Sequence, residues 1–180
     1  MSRPLLLIAM HSIDRPTDVV ACTLREGQAE VMASLIATAA SAGDHVIVLG
    51  DMNDFSEMVL DIQHHRPLSS VLTRLVAAGE IVNQTQGLVE VAAAVPESLR
   101  YSHWWDHDEK CVYNVPDQVS TLVHILMSRS LMPYVSDMHF GNDLFVQGCG
   151  TVSDHFPILV TLDVTQGMTI QEDDAIVVSE

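Results

Sequence analysis

Basic side chains are scarce in this chain. Eight Lys and Arg stand against 24 Asp and Glu, giving a formal net charge of −16 over 180 residues. Non-specific binding to nucleic acid draws mostly on Lys and Arg at phosphates, so this charge balance disfavours bare nucleic acid as a partner. A nucleic-acid substrate would need bound cations or a basic partner, whereas small phosphorylated or lipid-head substrates are easier to admit. Cysteine is also sparse: Cys22, Cys111 and Cys149 lack C-x-x-C spacing. They define neither a disulfide framework nor a zinc site. A bond between Cys111 and Cys149 is conceivable, free thiols are the expectation, and the default compartment is the reducing cytoplasm. Long apolar runs are missing too. The run at the start, Leu5 to Met10, has six residues, whereas a secretory core takes ~7–15 and a membrane span ~20. It reads as a buried strand, with no signal peptide and no membrane span. The chain shows no internal repeat and no linker rich in Pro, Gly or Ser. What it does have is 48% apolar residues and a mean hydropathy of +0.23, enough for one domain with its own core.

The pattern of elements is strand, helix, strand, then a series of strands. After the strand ending at His11, Thr23 to Ala42 reads as a helix. Thr23 and Glu26 have capping-box spacing. Leu24, Val31, Met32, Leu35, Ile36 and Ala39 form one face, and Gly43 closes the end. "HVIVLG" is a short, wholly apolar strand of the kind covered on both faces. A second helix is predicted over Ser69 to Ala78, with Val71, Leu72, Leu75 and Val76 buried. "LRYSHWW", "TLVHILMS", "VSDMHF" and "PILVTLDV" read as strands separated by turns at Pro116, Pro133 and Gly141. This order predicts an α/β domain with a mixed sheet over residues 1–165, followed by an acidic tail at 166–180. "AIVV" within that tail has the composition of an edge strand.

Two strand ends carry the chemistry. Gly50-Asp51-Met52-Asn53 ends an apolar strand, and Ser153-Asp154-His155-Phe156-Pro157 precedes another. Strand ends are where α/β folds place ligand sites. A carboxylate beside an amide suits a phosphate: the Asp holds a metal or a water, and the amide donates to a phosphoryl oxygen. An Asp-His pair adds a hard oxygen ligand and a group able to donate to the reacting phosphate. Each motif alone also fits a turn, a helix cap or a plain loop.

Together, "VIVLGDMND" and "TVSDHFPILVTL" resemble the endonuclease/exonuclease/phosphatase superfamily, the magnesium-dependent phosphoesterases that include deoxyribonuclease I. "LLLIAMHS" is similar to the family strand ending in a catalytic His, "REGQAEVMASLI" to the helix that follows, and "LVHILMSRSL" to the strand usually written I-D-H-I-L-V-S. The resemblance runs from about Leu5 to Val164. It implies a mixed β-sheet with helices packed on one face, half of the deoxyribonuclease I-like four-layer α/β sandwich. It implies that Asp51 orients or deprotonates the attacking water, Asn53 binds the phosphate, and Asp154 holds a divalent cation. His155 and His11 would be the active-site imidazoles. The implied ion is Mg²⁺, with Mn²⁺ or Ca²⁺ as alternatives, and the implied reaction is metal-assisted hydrolysis of a phosphodiester or phosphomonoester.

The chain departs from the family pattern at three places. It begins about where the second half of the family domain does, so the metal-binding Glu and the Asn of the first half have no counterpart. Val123 stands where I-D-H-I-L has the Asp that orients the catalytic His; in triad hydrolases a comparable loss costs roughly 10⁴ in rate. The glutamate that supports the first His is also absent. A half domain is expected to leave one sheet face open to water, to be covered by a second copy or by a partner chain. The alternative to an enzyme is therefore a catalytically degenerate half domain acting as an interaction or structural subunit.

Lesser features have plainer readings. Tyr101, Trp104 and Trp105 lead into Asp106 and Asp108, which either hold a cation such as Ca²⁺ or form a solvated loop. His64 and His65 read as surface imidazoles, and His103, His107, His124 and His139 have no ligand spacing. Asp14, Asp18 and Glu26 read as a solvated face around Arg15 and Arg25.

Overall fold

Side chains of a strand alternate between its two faces, and the two strands nearest the N-terminus use both. The computed structural model describes residues 3–80, 87–105, 113, 115–144, 153–166 and 177–178. Strands β1 (Leu5–His11) and β2 (His45–Asp51) run parallel, joined by helix α1 (Val19–Ala42). Leu6, Ile8 and Met10 of β1 and Val46 and Val48 of β2 point to one face, where α1 and α2 (Val71–Glu80) cover them. Leu5, Leu7, Ile47 and Leu49 point to the other. The main sheet is mixed. β3 (Leu88–Glu90) and β6 (Val123–Ser128) pair antiparallel beside β2, and β9 (Val177–Val178) adds parallel to the outer side of β1 as the edge strand expected from "AIVV".

The second face is not left bare, which corrects the expectation of a fully open sheet. The hairpin of β7 (Val135–Phe140) and β8 (Ile158–Leu162) lies over it, so that Ile47, Ile125, Met127 and Leu131 are buried beneath Val135, Met138, Ile158 and Val160. Its cover is incomplete, because Leu5, Leu7 and Leu49 remain only partly buried. A short pair, β4 (His103–Trp104) and β5 (Val119–Ser120), sits at the end of the sheet. Of "LRYSHWW", only these two residues are strand.

Helix α1 begins four residues before its predicted start. Asp18 is the N-cap, accepting from the Ala21 N–H at 2.8 Å, the geometry that side-chain caps favour. The capping box at Thr23 does not form: Thr23 Oγ1 donates to the Val19 carbonyl, and Glu26 accepts from Ser70 and Arg74 of the neighbouring helix segment. The buried face is also turned. Ala21, Cys22, Arg25, Ala29, Ile36, Ala39 and Ala40 are buried, Ala29, Ile36 and Ala39 of them in the core shared with the sheet, while Leu24, Val31 and Leu35 are exposed. Of the expected face, Ile36 and Ala39 are buried and Met32 packs against the same core, and small alanines complete that side. Gly43 does close the helix, at φ +88, with its N–H on the Ala40 carbonyl.

Arg25 is no part of a solvated face. It is fully buried, and its guanidinium donates at 3.1 Å to the carbonyls of Ile13, Asp14, Arg15 and Pro16. The loop after β1 is wrapped around this one side chain. Asp106, His107, Asp108, Cys111 and Cys149 lie outside the described residues, as does most of the acidic tail.

Candidate active site

The parallel register of β1 and β2 sets His11 directly beside Asp51. Gly50 makes this possible. It sits at φ +132, and a Cβ there would lie 2.0 Å from the Met10 carbonyl oxygen. Only glycine fits such a backbone approach. Asp51 then turns the chain: its Oδ1 accepts from the Asn53 N–H at 2.9 Å and its Oδ2 from Asn53 Nδ2 at 3.1 Å. Asn53 is at φ +47, a region that Asn tolerates better than most residues.

Two imidazoles approach the same carboxylate oxygen. His11 Nε2 and His155 Nε2 each lie 3.7 Å from Asp51 Oδ2, just beyond hydrogen-bond reach. His11 is the most open of the three, with its side chain 78% exposed. Asn53 is buried, and both hydrogens of its amide are engaged, on Asp51 and on the Ser12 carbonyl at 3.0 Å. It therefore orients Asp51 here, and binding a phosphoryl oxygen requires it to exchange one of these bonds. Val123 is paired opposite Asp51 on β6, so no carboxylate occupies that position.

Asp154 and His155 precede β8. The Trp104 N–H donates to the Asp154 carbonyl and the Phe156 N–H to the Ser102 carbonyl, both at 2.8 Å, around an antiparallel bridge between His103 and His155. The bridge brings in a residue that the sequence reading passed over. The His103 ring lies edge-on to His155 with centroids 4.9 Å apart, and His103 Nε2 is 3.8 Å from Asp154 Oδ2. Burial, helped by the neighbouring His155, pushes the His103 imidazole below its ordinary pKa against the pull of Asp154 and Asp51. No local signal marked His103, because its place depends on a long-range bridge.

Beneath the site lies a buried ion-pair network. His124 Nδ1 meets Glu90 Oε1 at 2.8 Å and its Nε2 meets the Asp54 carbonyl at 2.9 Å, while Ser56 Oγ donates to Glu90 Oε2 at 2.6 Å. A carbonyl only accepts and a carboxylate accepts, so the ring donates from both nitrogens and is an imidazolium. Burial alone would lower its pKa, but the Glu90 hydrogen bond and charge outweigh it and the net shift is upward. This network fixes the backbone of Asp54, three residues past Asp51. Asp54 itself is buried and accepts from Ser69 Oγ and the Phe55 N–H, and burial raises its carboxyl pKa.

His65 is likewise not a simple surface imidazole. Its Nδ1 lies 2.7 Å from Oδ2 of the buried Asp61, and its ring stacks on Phe55 at 4.5 Å. Burial would raise the Asp61 carboxyl, but the His65 hydrogen bonds outweigh it and hold it below the ordinary range. His64 is exposed, paired with Glu97. A cleft of about 830 Å³ is lined by His11, Asp51, Asn53, His103, Asp154 and His155, with His65 and Arg15 also on its walls.

The same architecture occurs in solved structures. A 3′ phosphatase, NExo from Neisseria, bound to a product DNA hairpin, superposes with a TM-score of 0.64 at 16% identity, covering 87% of this chain and 60% of that one. The chain has the deoxyribonuclease I-like fold. The 3′–5′ exonuclease NExo from Neisseria meningitidis gives 0.62 at 17% identity with the same coverage. The APE2 catalytic domain of Xenopus laevis gives 0.56 at 17%, covering 87% of this chain and 49% of that one. The chain thus spans 60% or less of the length of these neighbours, and its helices α1 and α2 pack on one face of its mixed sheet. No protein-family model and no curated protein matches it.

Proposed function

We propose that the chain is a divalent-cation-dependent phosphoester hydrolase, a phosphodiesterase or phosphatase, of the endonuclease/exonuclease/phosphatase superfamily. One observation carries this reading: two imidazoles from different elements converge on one oxygen of a carboxylate at a strand end. Asp51, held by Asn53, orients a water and accepts its proton as it attacks phosphorus. The bond from phosphorus to the ester oxygen breaks, and His155 or His11 delivers a proton to the departing alkoxide. The imidazoles also stabilise charge on the phosphoryl oxygens. In this reading Asn53 releases the Ser12 carbonyl to donate to the phosphate.

The donor set fits a cation. Asp154 has a side chain 64% exposed beside the cleft, and Mg²⁺ is commonly held by one or two carboxylates with water and substrate phosphate. Asp154 would hold it, with Mn²⁺ or Ca²⁺ as alternatives, and when bound it supplies positive charge against the phosphoryl group. The neighbours' phosphatase and exonuclease names support the reaction class, and the DNA hairpin of one supports a nucleic-acid substrate against the chain's own −16 charge. Residues 1–165 are proposed as the domain, with 166–180 an acidic tail that returns Val177–Val178 to the edge of its main sheet. Among the described residues no helix is long and apolar enough to cross a membrane, and a cytoplasmic location is proposed.

A second reading is favoured by Val123 opposite Asp51 and by Asn53's engaged donors: a non-catalytic interaction subunit. Its surfaces would be the partly open Leu5, Leu7 and Leu49, or the outer stripe of α1, where Val20, Leu24, Val31 and Leu35 are exposed. A homodimer or partner chain would cover them, and a monodisperse monomer in light scattering at micromolar concentration rejects the homodimer.

The test is turnover of generic phosphomonoesters and phosphodiesters by the purified chain. Hydrolysis that needs Mg²⁺, stops with EDTA and falls at least about 10²-fold in Asp51→Ala is the expected result. A wild-type rate equal to that of Asp51→Ala rejects the hydrolase and leaves the interaction subunit.

A further inference from the structure

We infer that His103, Asp154 and His155 form a nitrogen–oxygen site that prefers a divalent first-row transition-metal ion, of the Mn²⁺ to Zn²⁺ kind, over Mg²⁺. The inference rests on reading this rim of the cleft as its cation side. It adds His103, a ligand that neither strand-end motif supplies.

Among the described residues, this is the one group of three His, Cys, Asp or Glu side chains whose ligand atoms all lie within 4.8 Å of one another. Asp154 faces both rings: its Oδ2 is 3.8 Å from His103 Nε2, and its Oδ1 is 4.0 Å from His155 Nε2. Neither distance is a hydrogen bond. A tetrahedral ion with bonds of ~2.0–2.1 Å sets its ligand atoms about 3.4 Å apart. The two gaps exceed that by roughly half an ångström and all three ligand atoms lie within 4.8 Å of one another, so the exposed Asp154 carboxylate and the two rings close on an ion by turning.

The backbone under these ligands is already fixed. The His103–His155 bridge, closed on both sides by the 2.8 Å bonds from Trp104 to Asp154 and from Phe156 to Ser102, holds the two segments in register. Ser120 Oγ sits 3.3 Å from His103 Nδ1 and leaves Nε2 on the Asp154 side. A partner on the far ring nitrogen is the usual support of a metal-bound imidazole.

The ligand types decide the ion. Mg²⁺ seeks oxygen ligands in an octahedron and gives up water reluctantly. Two imidazoles and one carboxylate suit the borderline transition metals, whose affinity for such sets rises from Mn²⁺ towards Cu²⁺. An ion held here engages the His155 ring, so it competes with the role of His155 at a phosphoryl group.

The test uses the tag-free, metal-stripped full chain. Co²⁺ is added and followed by its visible absorption bands, and Zn²⁺ binding is measured by calorimetry. One ion per chain is expected, with Mg²⁺ in large excess unable to displace it. His103→Gln and Asp154→Asn, each checked for native far-UV circular dichroism, should weaken binding by at least about tenfold, since even supporting residues cost 10–100-fold. No saturable Co²⁺ binding, ready displacement by Mg²⁺, or unchanged affinity in folded His103→Gln overturns the site. Turnover is not read in this experiment, so failure of the hydrolase reading leaves these outcomes intact, and failure of the metal site leaves Mg²⁺-supported hydrolysis to be judged separately.

Discussion

Gly50→Ala is the substitution on which the construction of the site turns. The added Cβ would stand 2.0 Å from the Met10 carbonyl oxygen, against the 3.4 Å at which ordinary contact begins. The β1–β2 ladder must then open by more than an ångström at the pair next to His11 and Asp51. The backbone is also at φ +132, where a side chain is strained whatever the space. Strain of about 1–3 kcal/mol and overpacking of about 1–3 kcal/mol together predict a loss of roughly 2–6 kcal/mol. That is a large part of the ~5–15 kcal/mol that holds a typical domain. Gly43→Ala is the control. It shares a positive φ, +88, but its Cβ meets nothing within 4 Å, so only the left-handed penalty of about 1–2 kcal/mol applies. Urea unfolding of both variants gives the two values, and hydrolysis by the folded fraction of Gly50→Ala should fall as Asp51 moves from His11. Equal destabilisation of the two variants, or a Gly50→Ala loss below about 1 kcal/mol, would refute the close approach as the device that places Asp51.

Three further expectations follow from the buried groups. Arg25→Met leaves the carbonyls of Ile13, Asp14, Arg15 and Pro16 without their donor. Urea unfolding should show a loss of at least about 3 kcal/mol, and Arg25→Lys should not restore it, because a single ammonium lacks the planar fork; a Lys variant as stable as wild type contradicts this. The His124 imidazolium has a raised pKa in the fold, so its contribution is complete below its unfolded value of about 6.5 and is lost as pH rises through the folded value. Melting temperature should therefore fall on that alkaline side in wild type and change less in His124→Gln, and parallel pH profiles of the two would count against the ion pair. Asp61 has a lowered pKa, so its contribution is present above its unfolded value and fades as pH falls through the folded one. Asp61→Asn should flatten the acid limb of the same profile; an unchanged limb removes Asp61 from it.

The sequence made the strands and their ends legible because those signals are local. β1, β2 and β6 are short apolar runs, and Asp51, Asn53, Asp154 and His155 follow or precede such runs at fixed offsets. The structure brings Asp51, Asn53, His11, Asp154 and His155 to one cleft. What stayed illegible depends on partners far along the chain. The capping-box spacing at Thr23 was a local match, but Glu26 found stronger partners in Ser70 and Arg74. Arg25 looked solvated because no sequence pattern announces that four loop carbonyls will close around it. His103 acquires its position only through the bridge to His155. The hairpin of β7 and β8 was readable as two strands, but not as the cover of the sheet face, since both faces of that sheet are apolar.

The most direct test of a hydrolytic strand end is hydrolysis in ¹⁸O-labelled water, with the products read by mass spectrometry. Attack by a water held at Asp51 predicts one labelled oxygen in the phosphate product per turnover, with both the label and the rate lost in Asp51→Asn. Label in the alcohol product, or a wild-type rate no higher than that of Asp51→Asn, would contradict it.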